Sequence, residues 1–231
     1  MPVSVFAISD LHLSLSSDKP MDVFYGWENY VERIEKNWQN LVKDTDTVIL
    51  PGDISWAMKL EDTVTDFSFI ENLPGKKYFL KGNHDYWWST AAKMNTFIQE
   101  KGFKTLGFIH NSCIEIDNFA CCGTRGWLYD QHKMTADDEK ILNREVGRLE
   151  ASLKSADPEL EKIVFLHYPP VYGQFVCTPI MDVLHKYGVK RCYYGHIHGK
   201  SAHLAICGQR EGITFTLVSC DFNGFKPVLI G

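Results

Sequence analysis

Short apolar segments, each breaking off into a polar cluster, alternate with longer amphipathic stretches over most of this chain, and that alternation limits the folds open to it. Val3–Ile8 is apolar and β-branched, reads as a buried strand, and runs into Asp10-Leu11-His12. From Glu28 to Val42 the residues Tyr30, Ile34, Trp38, Leu41 and Val42 recur at helical spacing. Thr47–Leu50 is a second strand, ending in Pro51-Gly52-Asp53, and a helix-like stretch runs from about Lys59 to Leu73. Lys77–Leu80 is a third strand, ending in Gly82-Asn83-His84-Asp85, and a third helix, Ser89–Lys101, is stopped by Gly102. Strand and helix in alternation predict βαβ units in a sheet covered by helices.

The middle of the chain changes character. Thr105–Ile109, Cys113–Ile116 and Phe119–Cys122 read as closely spaced strands, with Asn111 and Asp117-Asn118 as turn signals. Ala136–Ala156 is the longest helical stretch, with Ile141, Val146, Leu149 and Leu153 on one face. Ile163–Leu166 and Cys192–Tyr194 are again short strands, separated by a helix near Ile180–Tyr187, and Leu204–Cys207 with Ile213–Ser219 alternates like a hairpin. Neither repeats nor a Pro/Gly/Ser-rich linker interrupts this pattern, so one domain over residues 1–231 is expected.

The polar clusters all fall at the carboxyl ends of predicted strands, where open α/β sheets build their sites. His167 follows the strand at Ile163–Leu166, and Gly195-His196-Ile197-His198 follows Cys192–Tyr194, so five segments deliver polar side chains to one edge. Single pieces carry little: about 0.6 Asp-x-His triplets are expected by chance, and Asp130-Gln131-His132 is a second one. Gly-His-x-His is expected only about 0.03 times and Gly-Asn-His-Asp about 0.002 times. Their conjunction in this order is what signifies.

Taken together, Asp10-x-His12, Gly52-Asp53, Gly82-Asn83-His84-Asp85, His167 and Gly195-His196-x-His198 resemble the calcineurin-like metallophosphoesterase superfamily. That resemblance implies a four-layer α/β/β/α sandwich and two divalent metal ions. Asp10, His12 and His198 would hold one ion and Asn83, His167 and His196 the other, with Asp53 bridging and His84 beside the leaving group. The implied reaction is hydrolysis of a phosphodiester or phosphomonoester, nucleotide-like, by metal-bound hydroxide. Mixed nitrogen and oxygen ligands suit Mn, Fe, Ni or Zn better than Ca or Mg. His84 follows a ligand directly, so it can sit at the site without binding metal and protonate the leaving oxygen, with Asp85 orienting its ring; a helix N-cap is the alternative for Asp85.

Two other members of the same fold set the rival readings. Ser/Thr protein phosphatases carry an arginine shortly after the second motif, whereas here Asp53 is followed by Ile54-Ser55-Trp56, and Gly-Asn-His-Asp looks more like diesterase and pyrophosphatase branches. A non-catalytic scaffold would be expected to lose ligands, and none is missing. Arg125, flanked by glycines after a predicted strand, is a candidate clamp for a second phosphate group, with a surface ion pair as the alternative. Tyr86-Trp87-Trp88 either stacks a base or packs under the next helix. His110, His132, His185 and His203 are expected to be incidental.

Composition bounds the rest. With 24 basic against 29 acidic side chains the net charge is −5, which argues against stable nucleic-acid binding through a basic face. No apolar run reaches the length of a membrane span, and the first residues lack a basic leader pattern. The seven cysteines are an odd number without paired spacing, so a reduced, cytoplasmic protein is expected, while the resemblance implies a small phosphorylated substrate.

Overall fold

The computed structural model describes residues 3–127 and 133–231. Its first sheet is built from β1 (Val5–Ala7), β2 (Thr47–Pro51), β3 (Lys76–Leu80) and β4 (Leu106–Phe108), all parallel. Its second sheet contains β5 (Ile114–Ile116), β6 (Phe119–Thr124), β7 (Glu161–Leu166), β10 (Arg191–Tyr194), β11 (Gly208–Arg210) and β12 (Ile213–Leu217). There β6, β7, β10 and β12 are parallel, while β5 and β11 close the edges antiparallel. A two-stranded ribbon, β8 (Val171–Tyr172) and β9 (Phe175–Val176), stands apart from both, and β13 (Val228–Leu229) lies antiparallel on β1.

The period-two alternation of the strands sorts their side chains into three cores. Phe6 and Ile8, with Val48, Leu50 and Phe79, face the helices α1 (Tyr30–Leu41), α2 (Val64–Glu71) and α3 (Ala91–Glu100), meeting Ile34, Trp38, Phe67 and Met94. On the second sheet Cys122, Val164, Leu166, Cys192 and Phe215 face α4 (Ala136–Lys154) and α5 (Thr178–Lys186). The third core lies between the sheets, where Val5, Ala7, Ile49 and Leu80 meet Cys121, Ile163, Phe165 and Tyr193. Helices, sheet, sheet, helices is the expected four-layer α/β/β/α sandwich. Each inner strand buries both faces, so it reads as a continuous apolar run.

The structure differs from the expectations mainly at strand and helix edges. The stretch from Lys59 opens as a 3-10 turn at Leu60–Thr63 before α2 begins. No strand forms at Leu204–Cys207: Leu204 closes a 3-10 helix, its carbonyl accepts from Gly173 N at 2.9 Å, and Ala205 bridges Tyr172. The hairpin therefore starts later, at β11. The Asp130-Gln131-His132 triplet lies outside the described residues. No helix among the described residues is long and apolar enough to cross a membrane.

At Gly123 on β6 no side chain fits, because the paired strand β7 closes one side and Leu80 of the facing sheet the other. A Cβ on Gly123 would run into the Phe165 carbonyl and lie 2.6 Å from Leu80 Cδ2. We expect Gly123→Ala to lower stability by about 1–3 kcal/mol through overpacking, read as a shift of the urea midpoint with an unchanged m-value. Wild-type stability in that variant would mean the sheets have slack at this point.

Candidate metal centre

Both sheets point their carboxyl ends the same way, and the expected side chains converge in the crevice between those ends. Two groups of ligand atoms form: Asp10, His12 and His198, and Asp53, His167 and His196, each set lying within 4.8 Å. Asn83 joins the second group, its Oδ1 2.6 Å from His167 Nε2. Asp53 lies between the groups, with Oδ2 3.7 Å from His12 Nε2 and 3.5 Å from His167 Nε2. All seven expected ligands are thus brought together.

The local backbone is bent to achieve this. Among the described residues nine non-glycine residues have positive φ, and four of them are Asp10, His12, Asp53 and His196. Such conformations are sparsely populated for residues with a Cβ and persist where surrounding contacts over-determine them. Asp10 N and His12 N donate to the Gly52 and Asp53 carbonyls, so the loops after β1 and β2 hold each other in place. Gly82 makes that fit possible, because a Cβ there would collide with the Asp53 carboxylate and backbone nitrogen.

Electrostatics follow from burial. His12 and His167 are pushed down to about 3 and His196 to about 4, chiefly by burial, so all three rings are neutral and free to act as ligands. Asp53 is raised well above the carboxylate range by burial and by the nearby charges of Asp10 and Asp85. Burial would raise Asp10 too, but His198 outweighs it, and the carboxyl is held well below its usual range. His167 Nδ1 lies 3.0 Å from the Pro51 carbonyl and must donate there, since the neutral ring has one proton. Its Nε2 lone pair then faces the Asn83 Oδ1 lone pair at 2.6 Å. Two acceptors that close repel each other unless a cation lies between them, so this donor set fits a metal ion.

One expected role is corrected. Asp85 does not orient the His84 ring, nor does it cap α3, whose N-cap is Thr90. The carboxylate is fully buried and accepts from the backbone N–H groups of Asp53, Ile54 and Gly82 at 2.7–2.9 Å and from Trp87 Nε1 at 3.1 Å. With these four and Ser55 N at 3.4 Å aimed at it, the carboxylate has no freedom to turn toward His84, whose Nδ1 is buried without a protein partner. Asp85 instead ties the loop after β3 to the loop after β2. Trp87 is likewise packing, buried against Phe67, whereas Tyr86 is half-exposed.

Arg125 is not among the grouped ligands: it sits one strand over from His167, whose N donates to its carbonyl at 3.1 Å, and its Nη2 pairs with the buried Glu145 at 3.2 Å. Two contributors escaped the sequence reading. Asp221 Oδ1 lies 2.9 Å from His198 Nδ1, and Trp56 stacks on His12 at 5.0 Å with its ring 4.4 Å from His84. Asp221 follows the end of β12, so the strand-end rule that found the other ligands could also have found it.

His198 supplies a pH test. Burial disfavours its charge, but Asp10 at 3.2 Å and Asp221 at 2.9 Å outweigh burial and push it up to about 10. This is above the ordinary 6.5, so the proton is held fully below that value and lost only as pH rises through about 10. A metal ion at Nε2 must displace this proton. Mn²⁺ affinity of the metal-free protein should therefore rise at least about tenfold per pH unit between about pH 6.5 and about pH 8.5, and more steeply wherever Asp53 also has a proton to lose. Calorimetry in buffers of different ionisation enthalpy measures both affinity and proton release; a pH-independent affinity would contradict the assignment.

Comparison with known proteins agrees with this geometry. A curated protein of Methanocaldococcus jannaschii, the uncharacterised MJ1445, is 26% identical over 133 residues, covering 55% of this chain and 68% of its own. The phosphopantetheinyl hydrolase of Mycobacterium tuberculosis superposes with a TM-score of 0.58 at 13% identity, over 99% of this chain and 96% of that one. Purple acid phosphatase from yellow lupin does so with a TM-score of 0.50 at 18% identity, over 98% of this chain but 44% of the lupin chain. These two likenesses concern the fold. The sequence model of the calcineurin-like phosphoesterases matches residues 3–200, so the chain belongs to that family and is a metal-dependent hydrolase of phosphate esters.

Proposed function

We propose that this chain hydrolyses a small, nucleotide-like phosphodiester or phosphomonoester at a dinuclear centre holding two ions drawn from Mn, Fe, Ni or Zn. Asp10, His12 and His198 hold one ion, Asn83, His167 and His196 the other, and Asp53 bridges them. The observation that carries this reading is the inward convergence of seven side chains of metal-ligand type, above all the His167 Nε2 lone pair against Asn83 Oδ1 at 2.6 Å with Asp53 Oδ2 3.5 Å away. Two bound ions supply neutralisation of the phosphoryl oxygens and a water acidic enough to ionise near neutral pH.

The chain's own residues do the rest. Asp53 offers one oxygen to the space between the groups while the other accepts from His84 N at 2.8 Å, which fixes the carboxylate. Asp221 holds His198 by its far nitrogen, fixing the ring plane. His84 stands against Trp56 and gives a proton to the departing oxygen. Trp56 and Trp27, at 5.0 and 6.0 Å from the His12 ring, wall that side against water.

The test crosses Mn, Ni, Fe and Zn with p-nitrophenyl phosphate, bis-p-nitrophenyl phosphate, cyclic nucleotides and dinucleotides. Turnover should depend on added metal and vanish with a chelator. His84→Ala should keep both metals by elemental analysis yet lose about 10²- to 10⁴-fold in kcat. Full activity in that variant removes His84 from the reaction, and cleavage of phosphopeptides alone would replace the small-molecule reading.

A further inference from the structure

Beside the ligand groups, at the carboxyl ends of β3, β4 and β6, lies a second cavity of about 440 Å³. Lys81, Arg125 and Arg148 line it together with Glu145, and the rings of Trp88 and His110 form one wall. The N-terminal turn of α3 also lines it. The cations are only partly satisfied. Glu145, fully buried, accepts from Arg125 Nη2 at 3.2 Å, Arg148 Nη1 at 2.6 Å and Thr124 Oγ1 at 2.6 Å. Lys81 has no hydrogen bond or ion pair among the described residues, and Arg125 Nε and His110 Nδ1 are buried without partners. Three cations against one carboxylate leave two positive charges. That sum matches a phosphate dianion and nothing neutral.

The cavity adjoins the centre. The Arg125 carbonyl accepts from His167 N at 3.1 Å and Tyr168 N at 2.8 Å, and the Tyr168 ring lies 4.4 Å from that of His196. Lys81 is two residues before the ligand Asn83. An aromatic wall lies next to these charges: the Trp88 and His110 rings are 5.8 Å apart and tilted 40° to each other, so each offers its own face to the cavity.

We infer that this cavity binds a second, non-scissile phosphate of the substrate, so that the substrate is a nucleotide bearing a phosphate besides the one hydrolysed. This inference rests on the phosphoesterase reading above and sharpens it. The non-scissile phosphate takes the open donors of Lys81 and Arg125, Arg148 completes the cationic side, and the base lies along Trp88. Glu145 holds the two guanidinium groups in place.

The test uses the whole chain with Mn²⁺, bis-p-nitrophenyl phosphate as reporter, and three competitors. These are adenosine 3′,5′-bisphosphate, adenosine 5′-monophosphate, and the monophosphate with equimolar inorganic phosphate. The bisphosphate should compete at least about tenfold better than either alternative. Lys81→Met and Arg148→Met should each shrink that ratio several-fold, so one poorly folding variant leaves the other to decide. An unchanged ratio in both, or a wild-type ratio near one, overturns the inference while reporter hydrolysis leaves the phosphoesterase reading intact. Equal competition by monophosphate plus inorganic phosphate overturns it too, because the cavity would then take free phosphate. If no metal supports reporter hydrolysis, the phosphoesterase reading fails by itself. Calorimetric titration of metal-free protein with the same nucleotides then reads the cavity directly, with the same tenfold preference expected and its absence decisive against the inference.

Discussion

A single carboxylate holds the two sheets in register at the site. Asp10 follows β1, has no exposed surface, and accepts from Ser9 Oγ, from Ser219 Oγ at 3.0 Å and from His196 N at 3.0 Å. Ser219 and His196 belong to the second sheet, after β12 and β10. A buried charge with unfilled acceptor sites is costly, so these donors must arrive together, and their arrival sets how the strand ends face each other. Moving either sheet along the crevice would strip Asp10 of two of these three donors and separate His198 from its partner.

Asp85 performs the matching task within the first sheet. Its five donors come from the loops after β2 and β3, so the backbone carrying Asp53 and the backbone carrying Asn83 and His84 are fixed to one another. The positive φ values at Asp10, His12, Asp53 and His196 then make sense as the consequence of two buried carboxylates pulling short loops inward. Strain sits in the ligands because the ligand loops have the least chain to work with.

This arrangement also explains how much was legible beforehand. Asp10, His12, Asp53, Asn83, His167, His196 and His198 could be read because a buried parallel strand is a continuous apolar run, and any polar residue ending it stands out. The four layers themselves came with the family resemblance; the runs gave only mixed sheets covered by helices. Asp85 was found but given the wrong task, since adjacency to His84 says nothing about where its carboxylate turns. Trp56 and Arg148 were not legible: Trp56 follows Asp53 by three residues, but nothing in that spacing says its ring turns back onto His12 and His84, and Arg148 comes from α4, far away in sequence. The short β13 was missed because two residues after Pro227 carry no pattern, and β1 alone makes them a strand. Leu204–Cys207 looked like a strand by alternation, yet its backbone groups found partners in the β8–β9 ribbon first.

Charge is distributed against the sense of the whole chain. The sum is −5, but the acidic residues at the centre are buried among ligands, where two divalent ions would reverse their sign. The neighbouring cavity is positive without any ion, and its one carboxylate, Glu145, is the reason it can be. Lys81, Arg125 and Arg148 would repel one another into solvent if nothing buried held the guanidinium groups. A carboxylate with 1% exposed side chain anchors them while leaving a net excess of two charges facing the crevice. Glu145 sits on α4, which is held by β6 through Ser152 Oγ, the acceptor for Gly123 N at 2.9 Å. The tight packing around Gly123, against β7 in its own sheet and Leu80 of the facing one, therefore also fixes where α4 holds the cationic wall beside the ligand groups.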